Sequence, residues 1–204
     1  MSSPIIYPTP QWVTAFTTGR GCSVEDLGLH PEELALPRQT HSSHILRVSQ
    51  PGRPEDTDAV FTDRPGLCVC VKTADCIPVL LYDDRTHMVA AHTVSLMTDR
   101  PRHMHAIIGP GISLQRFEVG DEVYDAFRQA GFPMELIARR FPCNGGGEKW
   151  HIDLWEANRW QLREAGVEDI FVQGICTMSS PELYSARRET INTGRNMNGI
   201  FINQ

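Results

Sequence analysis

Short runs rich in β-branched and aromatic residues, each bounded by turn-forming residues, recur at residues 12–17, 44–48, 58–62, 67–73, 77–82, 87–91, 105–108, 169–172 and 197–202. Runs of this kind read as strands. Several in the first hundred residues follow one another at about ten-residue spacing, which leaves no room for crossover helices and favours antiparallel or mixed sheet over strict βαβ alternation. Two segments carry the helical period instead. In residues 120–131, Val123, Phe127 and Ala130 recur at i, i+4 and i+7, and Gly131 stands where a left-handed C-terminal residue is wanted. In residues 153–166, Asp153 is placed to cap and Glu156 to complete a capping box; Leu154, Ala157, Leu162 and Ala165 share one face, and Gly166 stops the helix. Residues 31–36 predict a short third helix. Isolated punctuators (Pro51-Gly52, Pro65-Gly66, Gly109-Pro110-Gly111, Gly145-Gly146-Gly147) break the chain without any repeat or low-complexity tract, which predicts one continuous domain over residues 1–204.

Composition narrows the class. At 22% charged and 41% apolar residues the chain can build a sizeable core and is far from disordered usage. Nineteen Lys and Arg against 25 Asp and Glu give a net charge of −6, without the basic footprint that nucleic-acid binding needs, so a small-molecule substrate is expected. The opening Met-Ser-Ser-Pro-Ile-Ile-Tyr-Pro lacks the basic and apolar regions of a secretory signal, and no stretch reaches the length of a membrane span; a cytoplasmic protein is expected. Its six cysteines would then be free thiols.

Candidate chemistry concentrates in Lys72-Thr73-Ala74-Asp75-Cys76-Ile77-Pro78-Val79, a polar knot between the apolar runs 67–71 and 79–82. It reads either as a thiolate ligand or nucleophile held at a strand end beside a carboxylate, or as a plain turn with an inert cysteine. His41, within Gln39-Thr40-His41-Ser42-Ser43-His44, and His92 also stand at strand ends; one thiolate and two imidazoles would make an open zinc set. The separations of 35 and 16 residues match no compact zinc motif, and either histidine taken alone reads more simply as a satisfied surface or core residue. Cys68 and Cys70, two apart on one strand, read as core, Cys22 and Cys143 as loop residues, and His103 and His105, beside Arg100 and Arg102, as a solvated loop. In Tyr184-Ser185-Ala186-Arg187-Arg188-Glu189 and Thr193-Gly194-Arg195, three guanidiniums read equally as a bidentate anion clamp and as a solvated basic face.

The order and spacing of Phe16-Thr17-Thr18, Gln39-Thr40-His41, Asp58-Ala59-Val60, Thr73-Ala74-Asp75-Cys76-Ile77-Pro78-Val79-Leu80, Val89-Ala90-Ala91-His92, Ile108-Gly109-Pro110-Gly111-Ile112, Phe117-Glu118-Val119-Gly120, Cys176-Thr177 and Tyr184-Ser185-Ala186-Arg187-Arg188 resemble the YfiH-like family. That family is also known as laccase-domain or polyphenol-oxidase-like proteins and as purine nucleoside phosphorylases. The resemblance implies an α+β fold of mixed β-sheets packed together and flanked by helices. It also implies a metal triad of His41, Cys76 and His92 holding zinc, with copper the other metal these donors suit. The implied activities are phosphorolysis of adenosine, inosine and methylthioadenosine and deamination of adenosine. Cys76, Asp75 and His41 become the catalytic residues, with Asp75 shuttling protons to and from a metal-bound water, while Lys72, Arg188 and Arg195 bind phosphate and stabilise the departing purine. The implied partners are a purine nucleoside and phosphate, with neither nucleic acid nor membrane, on a monomer or weak homo-oligomer. Rival readings are an amidase of peptidoglycan precursors with Cys76 as nucleophile and His41 or His92 as base, a copper polyphenol oxidase, for which histidines suffice at one clear site only, and a structural metal module, for which no fourth ligand is evident. One departure stands out: His92 is followed by Thr93-Val94-Ser95-Leu96-Met97-Thr98-Asp99 where the family pattern has Ala-Gly-Trp-Arg-Gly and a helix, so the interval to Ile108 is shorter than the pattern.

Overall fold

The computed structural model describes residues 3–92, 103–143 and 146–204; the departure after His92 lies outside them. Two mixed sheets face each other. The first runs β1 (Ile5–Ile6), β2 (Val13–Thr17), β14 (Asn196–Ile202), β6 (Cys68–Thr73) and β3 (Leu34–Ala35), antiparallel except where β3 joins β6. The second runs β13 (Asp169–Val172), β9 (Met104–Ile108), β7 (Val79–Asp83), β8 (Met88–His92), β5 (Ala59–Thr62) and β4 (Ile45–Arg47); both of its edge strands are parallel to their neighbours.

Alternation along the strands decides the layering. Val69, Val71 and Ile200 of the first sheet meet Val60, Leu80, Ala91 and Ile107 of the second in the shared core. The alternate residues Cys68 and Cys70 point the other way, onto Phe16, Leu34 and Leu36. Because both faces of β6 are covered, its residues 68–71 are all fully buried, which is why the run reads as continuously apolar. On the outer face of the second sheet, Val79, Leu81, Ala106 and Ile108 receive Leu162 of α3 (Leu154–Glu164) and Val167. A third sheet, β10 (Glu118–Val119), β12 (Glu148–Ile152) and β11 (Ala138–Pro142), packs with α1 (Asp121–Gln129), α2 (Met134–Ile137) and α3 through Val119, Val123, Phe127, Ile137, Ile152 and Ala157.

The α+β architecture of mixed sheets with flanking helices is as expected, with local differences. Residues 31–36 form a single 3-10 turn, Pro31–Glu33, and then strand β3, because burying Leu34 and Ala35 against β6 outweighs continued helix. Asp153 caps α3 by accepting from the Glu156 N–H at 3.0 Å, but the Glu156 carboxylate turns to Arg159 (2.8 Å), so the reciprocal half of the box is absent. His105 is no loop residue: it lies in β9, stacked on Tyr82 with ring centroids 4.6 Å apart. Cys68 and Cys70 are core, their sulfurs 3.4 Å apart. Among the described residues no helix is long and apolar enough to cross a membrane.

Candidate active site

The register of the second sheet aligns one rank of residues: Ala59 lies opposite His92, His92 opposite Val79, and Val79 opposite Ile108, with Ile45 and Val172 extending the rank to either edge. The chain enters β4, β5 and β7 and leaves β8, β9 and β13 at this rank. Residues 40–44, 58, 73–78, 109–113 and 173–177, far apart in sequence, therefore gather along one edge of the sheet. Most of the polar residues singled out by the sequence are among them.

Asp58, immediately before β5, organises the first loop. Its carboxylate accepts from the main-chain N–H groups of Thr40 (3.1 Å), His41 (3.0 Å) and Ser42 (2.7 Å) and from the Ser42 hydroxyl (2.8 Å). Burial pushes this carboxyl up, but the hydrogen bonds of Ser42, Thr40 and His41 together outweigh it and hold the group below its ordinary range. They also hold His41 at φ 60°, a left-handed conformation uncommon for a residue with a side chain, with its ring in solvent. Gln39 extends the tie, its side-chain oxygen accepting from the Lys72 N–H at 2.8 Å.

The crossing from β6 to β7, residues 73–78, carries the chain from one sheet to the other. Asp75, at φ 88°, uses both carboxylate oxygens within the fold: Oδ1 accepts from the Thr177 hydroxyl (2.6 Å) and Oδ2 from the Arg187 N–H (2.7 Å). Its carbonyl accepts from the Ile112 N–H (3.0 Å). Gly111 lets these loops close, since a Cβ there would stand 2.1 Å from Ile77 Cδ1. Cys76 is left exposed at the crossing, and its thiol is pushed up, first by the solvent it loses and then by the Asp75 charge. Cys176, across the loop contact, is the opposite case: burial pushes it up, yet hydrogen bonds from Ser113 and Ser179 bring it below its ordinary value.

Lys72, Arg53 and Arg195 converge on a cleft of about 600 Å³ whose remaining wall includes Tyr184, Leu34 and Met197. Burial, then the charges of Arg53 and Arg195, push the Lys72 ammonium down, whereas the nearby Arg195 charge favours the thiolate of Cys76. Arg195 thus lies within electrostatic reach of both ends of the crossing, while its guanidinium also donates to the carbonyls of Thr193 (2.5 Å), Gly194 (3.1 Å) and Ile191 (2.8 Å) in its own loop. Arg188 is committed elsewhere. Its guanidinium donates to the carbonyls of Thr177 (2.8 Å), Met178 (3.3 Å), Ser180 (2.6 Å) and Leu183 (2.5 Å) and to Glu189, so it staples the loop rather than facing a ligand. A second cavity, of about 430 Å³, is lined by Cys76 and by residues of α1 and α3.

The three residues of the implied metal triad differ in exposure. His41 and Cys76 are exposed while His92 is only 3% exposed, and among the described residues no three His, Cys, Asp or Glu side chains stand together to hold one ion. His41, Cys76 and His92 share the edge, but among the described residues they do not stand together as a donor set, and no step below passes through a metal. Sequence reasoning gave no role to Asp58, Thr177 or Arg53. Asp58 and Thr177 stood inside recognised segments, but nothing in their spacing announced that they would brace His41 and Asp75.

The family model for multi-copper polyphenol oxidoreductase laccase matches residues 15–203. The chain belongs to this family. Among its curated relatives, a purine nucleoside phosphorylase of Bacteroides thetaiotaomicron is 40% identical, over 89% of this chain and 77% of its own. An adenosine deaminase, RL5, from an unknown prokaryotic organism is 33% identical over 86% of this chain and 77% of its own. The crystal structure of YlmD from Geobacillus stearothermophilus superposes with a TM-score of 0.82 at 22% identity, covering 95% of this chain and 93% of YlmD, and so shares the fold.

Proposed function

We propose that this chain cleaves the glycosidic bond of purine nucleosides with phosphate. The observation that carries the reading is the cluster of Lys72, Arg53 and Arg195 on one cleft; the names of the family's relatives give the substrate class. The three cations are exposed on a cleft wall that also carries Glu25 and Glu32, and a phosphate dianion bound among them relieves the repulsion that, after burial, pushes the Lys72 ammonium down.

In the reaction a phosphate oxygen bonds to C1′ of the ribose as the C1′–N9 bond breaks. The proton of hydrogen phosphate ends on the departing base, so charge and atoms balance. Lys72 and Arg195 fix the phosphate against C1′ and stabilise the negative charge that moves from it to the base. Cys76 and His41 stand exposed at the same edge of the sheet. Asp75 acts as a positioning residue, since both its oxygens are engaged in holding the crossing. We place the reaction in the cytoplasm, consistent with six free cysteines.

The test is chromatography of products from inosine or adenosine with and without phosphate. Phosphate-dependent release of hypoxanthine or adenine, reduced about a hundredfold in kcat/KM for phosphate by Arg195→Ala, supports the reading. Release of inosine from adenosine without phosphate, unaffected by Arg195→Ala, overturns it.

A further inference from the structure

At the end of the first sheet from which the crossing leaves, four buried polar side chains form a chain that the reaction above does not use. The Tyr7 hydroxyl, just after β1, meets the Thr17 hydroxyl of β2 at 2.6 Å; Thr17 meets the Asn198 Oδ1 of β14 at 2.7 Å; and the Asn198 Nδ2 meets the Thr73 hydroxyl, the last residue of β6, at 3.1 Å. None of the four is more than 3% exposed. Each step joins neighbouring strands, so the chain runs straight across the sheet. Chemistry fixes the direction of every bond. The Asn198 Nδ2 also faces the carbonyls of Val71 (3.3 Å) and Asn196 (3.2 Å), which only accept, so this is the NH2 edge of the amide and Oδ1 is turned to Thr17. Thr17 then spends its one hydroxyl hydrogen on Asn198, and its oxygen accepts from Tyr7. Burial pushes the Tyr7 phenol well above its ordinary range, against the weaker opposite pull of the Thr17 bond, and keeps it a donor. All the donors therefore point one way, from Tyr7 to Thr73, an order in which successive bonds strengthen one another. Both feet of the crossing meet this chain. Thr73 is its first residue; at the other foot the Pro78 carbonyl accepts from the Gly109 N–H (2.9 Å), and a Cβ on Gly109 would stand 3.0 Å from the Tyr7 hydroxyl. Lys72, one residue before Thr73, takes the opposite face of β6 and lines the cationic cleft.

We propose that Tyr7, Thr17 and Asn198 are positioning residues that act through Thr73: their chain of hydrogen bonds fixes the foot of the crossing, and with it the direction in which Lys72 meets an anion in the cleft. Apolar side chains would fill a sheet end as well; a fully bonded polar chain instead specifies one arrangement, because any other leaves a buried donor or acceptor unpaired. Fixing Thr73 on the buried face of β6 fixes Lys72 on the exposed face, one peptide away. The effect on turnover rests on the phosphorolytic reading above, whereas the positioning stands on the chain itself.

The experiment compares Thr17→Val with Thr17→Ser in the full chain by amide hydrogen exchange, thermal melting and calorimetric titration with inorganic phosphate, alongside steady-state kinetics with inosine and phosphate. Thr17 does not line the cleft, and its hydrogen bonds lead to residues 72–78 only through Asn198. The expected result is that Thr17→Val speeds exchange at residues 72–77 about tenfold beyond the change in global opening, and weakens phosphate and raises its KM severalfold with the nucleoside KM little changed. Thr17→Ser, which keeps the hydroxyl, restores all three. Tyr7→Phe, which removes only the first donor and keeps the ring, gives the same pattern more weakly and serves if Thr17→Val does not fold. Thr73→Val added to Thr17→Val costs less than the two separate losses combined, since both break one chain. Exchange at residues 72–77 that merely follows global opening in the folded variants, with phosphate affinity unchanged, overturns the proposal. A wild type that neither binds nor consumes phosphate overturns the phosphorolytic reading alone, and the exchange pattern of Thr17→Val and Thr17→Ser then upholds or overturns the positioning by itself.

Discussion

The Asp58 carboxylate accepts a 3.0 Å hydrogen bond from the main-chain N–H of His41, the residue its loop holds in a left-handed conformation. With the parallel bonds from Thr40 and Ser42, one buried carboxylate fixes three consecutive peptide groups. Asp58→Ala leaves those donors unsatisfied, and the expected cost is about 3 kcal/mol by urea denaturation. Because the folded pKa lies below the ordinary 3.8, the stabilisation is complete above that value and is lost as pH falls through the folded pKa. A wild-type acid limb below about pH 4 that Asp58→Asn makes shallower is the expected result.

At the opposite end of the same sheet, His105 donates from Nδ1 to Asp169 (2.5 Å) and from Nε2 to Asp84 (2.7 Å), a pair of bonds that only the imidazolium makes at once. Burial pushes its pKa down, but the hydrogen bonds and charges of Asp169 and Asp84 outweigh this and raise it above 6.5. The stabilisation is therefore complete below 6.5 and is lost as pH rises through the folded value. Thermal melts are expected to show Tm falling from pH 6 toward pH 9, a slope that His105→Gln removes; NMR titration of the ring gives the pKa directly. A flat wild-type profile would contradict this account.

How far the chain announced this structure differs by element. Strands such as β7 and β6 were legible because burial wrote them as dense apolar runs, and α3 because Asp153 and Gly166 mark its ends. The β11–β12 hairpin was not: Arg139, Arg140, Glu148 and Lys149 are exposed, so neither strand has an apolar run to reveal it. At the site, Lys72, Asp75, Cys76 and His41 stood out as polar groups at strand ends, and the register does place the last three along one edge. What could not be read is the partner of each group. Asp75 meets Thr177 and Arg187 only through loop contacts across more than a hundred residues, and the Arg188 charge, which suggested a ligand, is consumed by carbonyls of its own loop.

Arg188 is therefore expected to behave as a structural residue. Arg188→Ala strips four carbonyls of their donor and should destabilise the protein by about 3 kcal/mol, and Arg188→Lys should recover only part of it, since an ammonium cannot reproduce the planar fork. Activity per folded molecule should fall equally for nucleoside and phosphate as varied substrates. A selective rise in the phosphate KM at unchanged stability would instead make it a ligand contact.

Glu189 joins the loop that bears Arg195 to the N-terminal half of the chain. Its carboxylate pairs with Arg20 and with Arg188 (2.8 Å) and accepts from the Thr193 hydroxyl, two residues before Arg195, while the Arg20 guanidinium lies 4.4 Å from the Tyr184 ring centroid. The hydrogen bonds of Arg20, Thr193 and Arg188 lower its pKa from 4.5 to about 2. The clamp is thus fully formed above 4.5 and is released as pH falls toward 2. Glu189 is exposed, so its removal should cost little global stability, but Arg195 would lose the fixed frame from which it meets phosphate. Glu189→Gln is expected to raise the phosphate KM severalfold with kcat and nucleoside KM little changed, and to speed amide hydrogen exchange in residues 189–195. Glu189→Asp, which keeps the charge on a shorter arm, should rescue part of the phosphate KM, as a frame held by charge-assisted hydrogen bonds requires. Equal loss in kcat and both KM values would place the effect in folding instead.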